Sequence, residues 1–190
     1  MTEQLPLNTS PLPLKLRVED YLALDRIGAF ADYAKTELIE GEIVFMNAQH
    51  RPHARVKMEL GFALRDAVSR VAGLGVLIEV SIDAPPHNVP EPDIVVTDEP
   101  DGEGLVPLRS VALLVEVADT TLRNDMERKA GLYAGLGVAE YWVADVNGRV
   151  IHQLWAPAGA AYAERRVVAF GEVVEAVTIE GLRVDTGGLS

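Results

Sequence analysis

Two spacings of apolar residues alternate along this chain, one helical and one extended. Val18, Tyr21 and Leu22 recur at helical spacing and predict a short helix over residues 18–27. Residues 37–46 read as a strand pair or a kinked strand, with Gly41 at the turn or bulge. Pro52 suits the first turn of a long helix whose apolar stripe is Val56, Leu60, Ala63, Leu64, Ala67 and Val71, closed by Gly73. Short aliphatic runs over 76–82, 93–97 and 111–117 predict strands, bounded by Pro85-Pro86, Pro90 and Asp119. Thr120 or Thr121 is placed to cap a helix over 122–134. Residues 140–146, 150–155, 162–168 and 173–179 read as four more strands, either a meander or an extension of the sheet. This order predicts an α/β or α+β domain with a mixed central sheet flanked by helices and extra C-terminal strands.

Composition narrows the class. A chain of 190 residues with 48% hydrophobic content is long enough for one substantial core, so a single domain over residues 14–190 is expected. Residues 1–13 hold three prolines and no periodic pattern, and read as a tail. That stretch lacks the basic start and apolar core of a signal peptide, and no apolar run approaches the ~20 residues of a membrane span. The absence of cysteine excludes disulfides, zinc–thiolate sites and thiol nucleophiles, and fits a cytoplasmic protein.

Charge complicates a nucleic-acid partner. The net charge of −12 opposes long-range attraction to a polyanion. The charge is uneven, however. Residues 43–58 contain no acid and carry Arg51, Arg55 and Lys57 beside His50 and His53. Residues 84–108 contain no lysine or arginine, and the acidic run from Asp98 to Glu103 reads as a solvated loop.

The candidate chemistry comes from acids where strands should be apolar. Asp93 opens one predicted strand and Glu116 lies near the end of another, and such positions seldom carry an acid unless something offsets the burial. If the two strands are antiparallel neighbours, both carboxylates fall at one end of the sheet. A hard divalent ion such as Mg2+ or Mn2+ takes one or two such carboxylates and keeps room for water and phosphate. Lys129 flanks the apolar stripe of Leu122, Met126, Ala130 and Tyr133, so its stem can lie on apolar surface while its ammonium reaches the sheet end. The plainer alternative is an exposed i,i+4 pair of Asp125 with Lys129. His87 and His152 have no constellation around them, and the glycines near 131–137 follow a helix rather than precede one, unlike a phosphate loop. Tyr141 and Trp142 read as core or dimer contact.

Taken in order, Glu37-Leu-Ile-Glu-Gly-Glu42, His53, Pro92-Asp93, Val115-Glu116-Val117, Asp125, Lys129, Tyr133 and Gly137-Val-Ala-Glu-Tyr-Trp-Val-Ala-Asp145 resemble the Uma family of restriction-endonuclease-like proteins, within the PD-(D/E)XK nuclease superfamily. The resemblance implies a restriction-endonuclease-like fold, a divalent metal on Asp93 and Glu116, and a catalytic role for Lys129. The superfamily's usual lysine stands two residues after the glutamate, where this chain has Ala118; the resemblance implies that the lysine has moved to the following helix. Glu42 is the expected upstream acid, with Glu40 and Glu37 behind it. His53, Arg51, Arg55 and Lys57 are candidate phosphate contacts, joined by Arg123 and Arg128, with Asp125 in support. The expected partner is DNA more than RNA, in a homodimer. Three readings follow: a metal-dependent nuclease, a catalytically silent interaction module of the same fold, or a closed Glu116–Lys129 ion pair with no open space beside it.

Overall fold

The computed structural model describes residues 12–46, 48–71 and 73–189, so the expected tail lies outside the described residues up to Pro11. Helix α1 (Val18–Arg26) is followed by strands β1 (Thr36–Ile39) and β2 (Glu42–Phe45), which form a hairpin. Its two turn residues, Glu40 and Gly41, have φ of 54° and 81°, the pattern of a two-residue primed turn. Glycine is required at the second position, because a Cβ there would lie 2.6 Å from Lys15 Cβ.

Helix α2 (Arg51–Val68) starts with Pro52 in its first turn. Then come β3 (Gly75–Ile78), β4 (Ile82–Asp83), β5 (Ile94–Thr97), β6 (Val106–Pro107) and β7 (Val111–Ala118). Helix α3 runs through Leu122–Asn124, a π-helical turn at Asp125–Lys129, and Ala130–Gly135. The chain finishes with β8 (Glu140–Asp145), β9 (Val150–Pro157), β10 (Tyr162–Ala169), β11 (Val173–Glu175) and β12 (Arg183–Asp185). The expected strand over 173–179 is shorter than the sequence pattern suggested, because Ala176 turns back to pair with Leu182 and closes a separate β11–β12 hairpin.

Six strands form the central sheet in the order β10-β9-β8-β7-β5-β3. Within this sheet β7 and β8 are the pair that runs parallel; a parallel pair needs a crossover, and α3 supplies it. Alternate residues of β7 sort its two faces. Leu113, Val115 and Val117 pack with Leu60 and Leu64 of α2 and with the C-terminal hairpin, whereas Leu114 and Ala118 pack with Ala130 and Tyr133 of α3. Helices therefore cover both faces, and β7 is buried along most of its length. A third cluster ties α1 and the first hairpin together through Val18, Tyr21, Leu38 and Val89. Tyr141 and Trp142 are fully buried core side chains, which leaves them no part in a dimer contact. No helix among the described residues is long and apolar enough to cross a membrane.

Candidate active site

Register brings the first two acids together. Strands β5 and β7 pair antiparallel with Ile94 opposite Val115, so the next step sets Asp93 across from Glu116 at one end of the sheet. The Val117 N–H donates to Asp93 Oδ2 at 2.8 Å, which ties the two strands through the carboxylate itself. Both side chains are buried, at 4% relative exposure each.

Three other elements converge on this sheet end. From α2, His53 Nε2 lies 3.1 Å from Asp93 Oδ2, and Lys57 Nζ lies 3.7 Å from Oδ1. From α3, Lys129 Nζ donates to Glu116 Oε1 at 2.8 Å and Tyr133 Oη donates to the same oxygen at 2.9 Å. From β1, Glu37 Oε1 stands 3.6 Å from Lys129 Nζ and accepts the Glu91 N–H at 2.7 Å. The π-helical turn ends on Lys129; such turns are rare and occur often at functional sites. One wide turn changes the helical phase, which explains why Lys129 pairs with the sheet rather than with Asp125. Asp125 instead accepts from the Thr121 hydroxyl at 2.5 Å and from Asn124.

Several expected residues take other places. Glu42 is exposed on β2 and does not line the cleft. The reason is the order of the hairpin: β1 is the strand bonded to the body, through Leu38 and Val89, so β2 is outermost. Glu37, on β1, holds the inward position, and Glu40 occupies the turn. Lys57 is not a surface cation. It is buried and donates to Gln49 and Glu79, both at 2.6 Å. Arg51 and Arg55 are exposed on α2 outside the cleft lining, Arg123 pairs with Glu127 in solvent at 3.1 Å, and Arg128 lines the cleft.

Sequence reasoning missed Gln49 and Glu79. Glu79 has φ of 51°, a costly conformation for a non-glycine residue, and its N–H donates to the Asp93 carbonyl at 3.1 Å. No sequence signal marks that conformation.

The electrostatics are unbalanced. Burial raises the proton affinity of Glu116, Lys129 partly offsets it, and Asp93, Asp125 and Glu37 add to it; together they push Glu116 up to about 8. Burial also acts to raise Asp93, but the His53 hydrogen bond and charge, the Val117 N–H and Lys57 outweigh it and hold Asp93 below the usual carboxylate range. Lys129 moves upward despite its burial, because Glu116 and Glu37 surround its ammonium with negative charge. Four acids, Glu37, Asp93, Glu116 and Asp125, thus act on one another around one buried lysine, Lys129.

The site opens on a cleft of about 1090 Å³ lined by Glu37, His53, Asp93, Glu116 and Lys129 among others. A closed structural ion pair would have no such space beside it. The donor set fits a hard divalent cation. Among the described residues, Glu116 Oε2 takes no hydrogen bond, and Asp93 Oδ1 has only the loose contacts from Gln49 at 3.5 Å and Lys57 at 3.7 Å. No three His, Asp or Glu side chains among the described residues form a ready-made metal cage. Magnesium does not need one, since it keeps several waters and binds through one or two carboxylates.

Comparison with known proteins bears on the family and the fold. The family model described as "Uma2: Putative restriction endonuclease" matches residues 18–187. Among solved structures, the chain is similar to one titled as a putative nuclease belonging to DUF820 from Anabaena variabilis. The two share a fold at a TM-score of 0.64 and 16% identity, over 92% of this chain and 97% of that one. No curated protein matches. With the family model spanning nearly the whole described chain, this protein belongs to the Uma2 family.

Proposed function

We propose that this protein is a metal-dependent nuclease that hydrolyses phosphodiester bonds, with DNA the preferred substrate over RNA. One observation carries the reading: Asp93 and Glu116 meet at an open cleft with Lys129 in contact, each carboxylate keeping one oxygen lightly engaged or free. Asp93 Oδ1 and Glu116 Oε2 are the atoms that would hold Mg2+ or Mn2+. When bound, such an ion lowers the pKa of a coordinated water and neutralises phosphate charge.

The remaining roles belong to the chain. His53 and the Val117 N–H occupy Asp93 Oδ2 and aim the other oxygen away from them. Tyr133 and Lys129 do the same at Glu116 Oε1. Glu37 is a second acid within 3.6 Å of the Lys129 ammonium, which keeps it charged and close to where an attacking water or a phosphate would sit. The N-terminus of α2, with His50 and His53 on the cleft, adds a positive helix end that favours phosphate. Glu42 has no part in this scheme; Glu37 takes the upstream-acid role.

The test is plasmid cleavage with Mn2+ and with Mg2+, using Asp93→Ala in parallel. Cleavage by the wild type alone supports the reading, and equal cleavage by both proteins overturns it. Calorimetric titration with Mg2+ separates a nuclease from a silent module, which has no need to bind the ion at these carboxylates.

A further inference from the structure

One wall of the cleft has no part in the phosphodiesterase chemistry. Phe30, Tyr33 and Phe45 line it. Tyr33 is 52% exposed and Phe45 63% exposed, with tilted rings whose centroids are 5.5 Å apart. Both rings are open to solvent and lie outside the three core clusters.

Their position relates them to the site. Phe45 pairs with Thr36 across the first hairpin, and the adjacent rung is Val44 with Glu37. That rung is only ~3.3 Å further along the strand. Glu37 is the acid that reaches Lys129. Neighbouring rungs project to opposite faces of the hairpin, and the cleft is lined from both, by Glu37 and Val44 on one and by Thr36 and Phe45 on the other.

The cleft has little positive charge to hold a backbone. Lys35 is paired with Glu91 at 3.2 Å, and Lys129 is engaged by Glu116 and Glu37. Among the described residues, Arg128 is the lining Lys or Arg with no ion pair. With a net charge of −12, phosphate attraction is a poor source of affinity here. Base stacking on aromatic rings is the sequence-tolerant alternative, because every base has a π-face.

We propose that Tyr33 and Phe45 form a stacking platform for an unpaired nucleobase, so that the cleft takes single-stranded or locally unpaired nucleic acid. This rests on the phosphodiesterase reading of the same cleft. The experiment uses a single-stranded deoxyoligonucleotide carrying 2-aminopurine, its perfect duplex, and an RNA of the same sequence. Binding is read by anisotropy and stacking by 2-aminopurine quenching, for wild type, Tyr33→Ala/Phe45→Ala and Tyr33→Phe/Phe45→Tyr. Circular dichroism and urea midpoints confirm that the exposed-site variants fold.

The wild type should quench the probe and bind the single strand more tightly than the duplex. The double alanine variant should lose at least ~10-fold in single-strand affinity, and the aromatic exchange should restore it. Absent quenching, tighter duplex binding, or equal affinity in the alanine variant overturns the proposal. So does a wild-type dimer that the alanine pair dissolves, since a second copy would then be what covers the rings. Asp93-dependent plasmid cleavage without single-strand preference sinks the platform and leaves the nuclease intact. Quenching and tight binding without any cleavage does the reverse.

Discussion

Two buried carboxylates on neighbouring strands have opposite surroundings. Glu140 begins β8 and is fully buried. Its Oε1 accepts from Trp142 at 2.6 Å and Gln153 at 3.2 Å; its Oε2 accepts the Val177 N–H, the Thr178 N–H and the Thr178 hydroxyl at 2.8, 2.8 and 2.9 Å. Five donors saturate it without any cation, and the carboxylate fastens the segment after β11 to the sheet. Glu116, on β7, is as deeply placed but receives only Lys129 and Tyr133, both at one oxygen, with three further acids nearby and a cleft beside it. A buried acid with every lone pair occupied organises structure. One left partly occupied among like charges, next to open space, is equipped to take up a cation or a proton.

The sharpest break in that comparison is on activity. Asp93→Ala should lower metal-dependent cleavage by at least ~100-fold while leaving the chain folded, as measured by plasmid nicking and far-ultraviolet circular dichroism. Glu140→Ala should do the opposite. It strands five donors in the core, so unfolding in urea should show a loss of about 3–5 kcal/mol, with activity per folded molecule retained. Similar activity losses in both variants would erase the distinction.

Next in size is the pH response of the metal-free protein. Glu116 binds its proton more tightly folded than unfolded, so its contribution to stability is present below the ordinary glutamate range and is lost as pH rises toward about 8. In chelator, the wild type should therefore weaken between about pH 5 and 8, and Glu116→Gln should flatten that slope. The difference should exceed ~1.4 kcal/mol, the worth of one tenfold change in proton affinity. Parallel pH profiles for the two proteins would count against the charge imbalance. The smallest effect tests the hairpin: Glu42→Ala should change stability by less than ~0.5 kcal/mol and leave cleavage unchanged, whereas Glu37→Ala should depress cleavage by removing a partner of Lys129.

Much of the fold was readable because burial writes periodicity. The stripe from Val56 to Ala67 marked α2, which stops at Val68 short of the expected Val71, and the aliphatic runs before Thr97 and Val117 marked β5 and β7. An acid inside such a run is legible as an anomaly, which is how Asp93 and Glu116 stood out. The same rule singles out Glu140 too little, since its position at the head of a strand hides its burial. Register within the first hairpin was not legible. Glu37, Glu40 and Glu42 are three acids in six residues, and local pattern cannot say which strand of a hairpin faces the body.

The sequence by itself determined the element order, the residue types of the site and their ordered likeness to a nuclease family. Tertiary structure decided which of those residues meet. It paired β5 with β7 so that Asp93 faces Glu116, widened one turn of α3 so that Lys129 left Asp125 for the sheet, buried Lys57, and put Glu37 inside with Glu42 outside. The reason is physical: spacing and burial propensity are local and survive in one dimension. Strand neighbours, helix phase and the sum of charges at a sheet end depend on contacts between residues far apart in the chain.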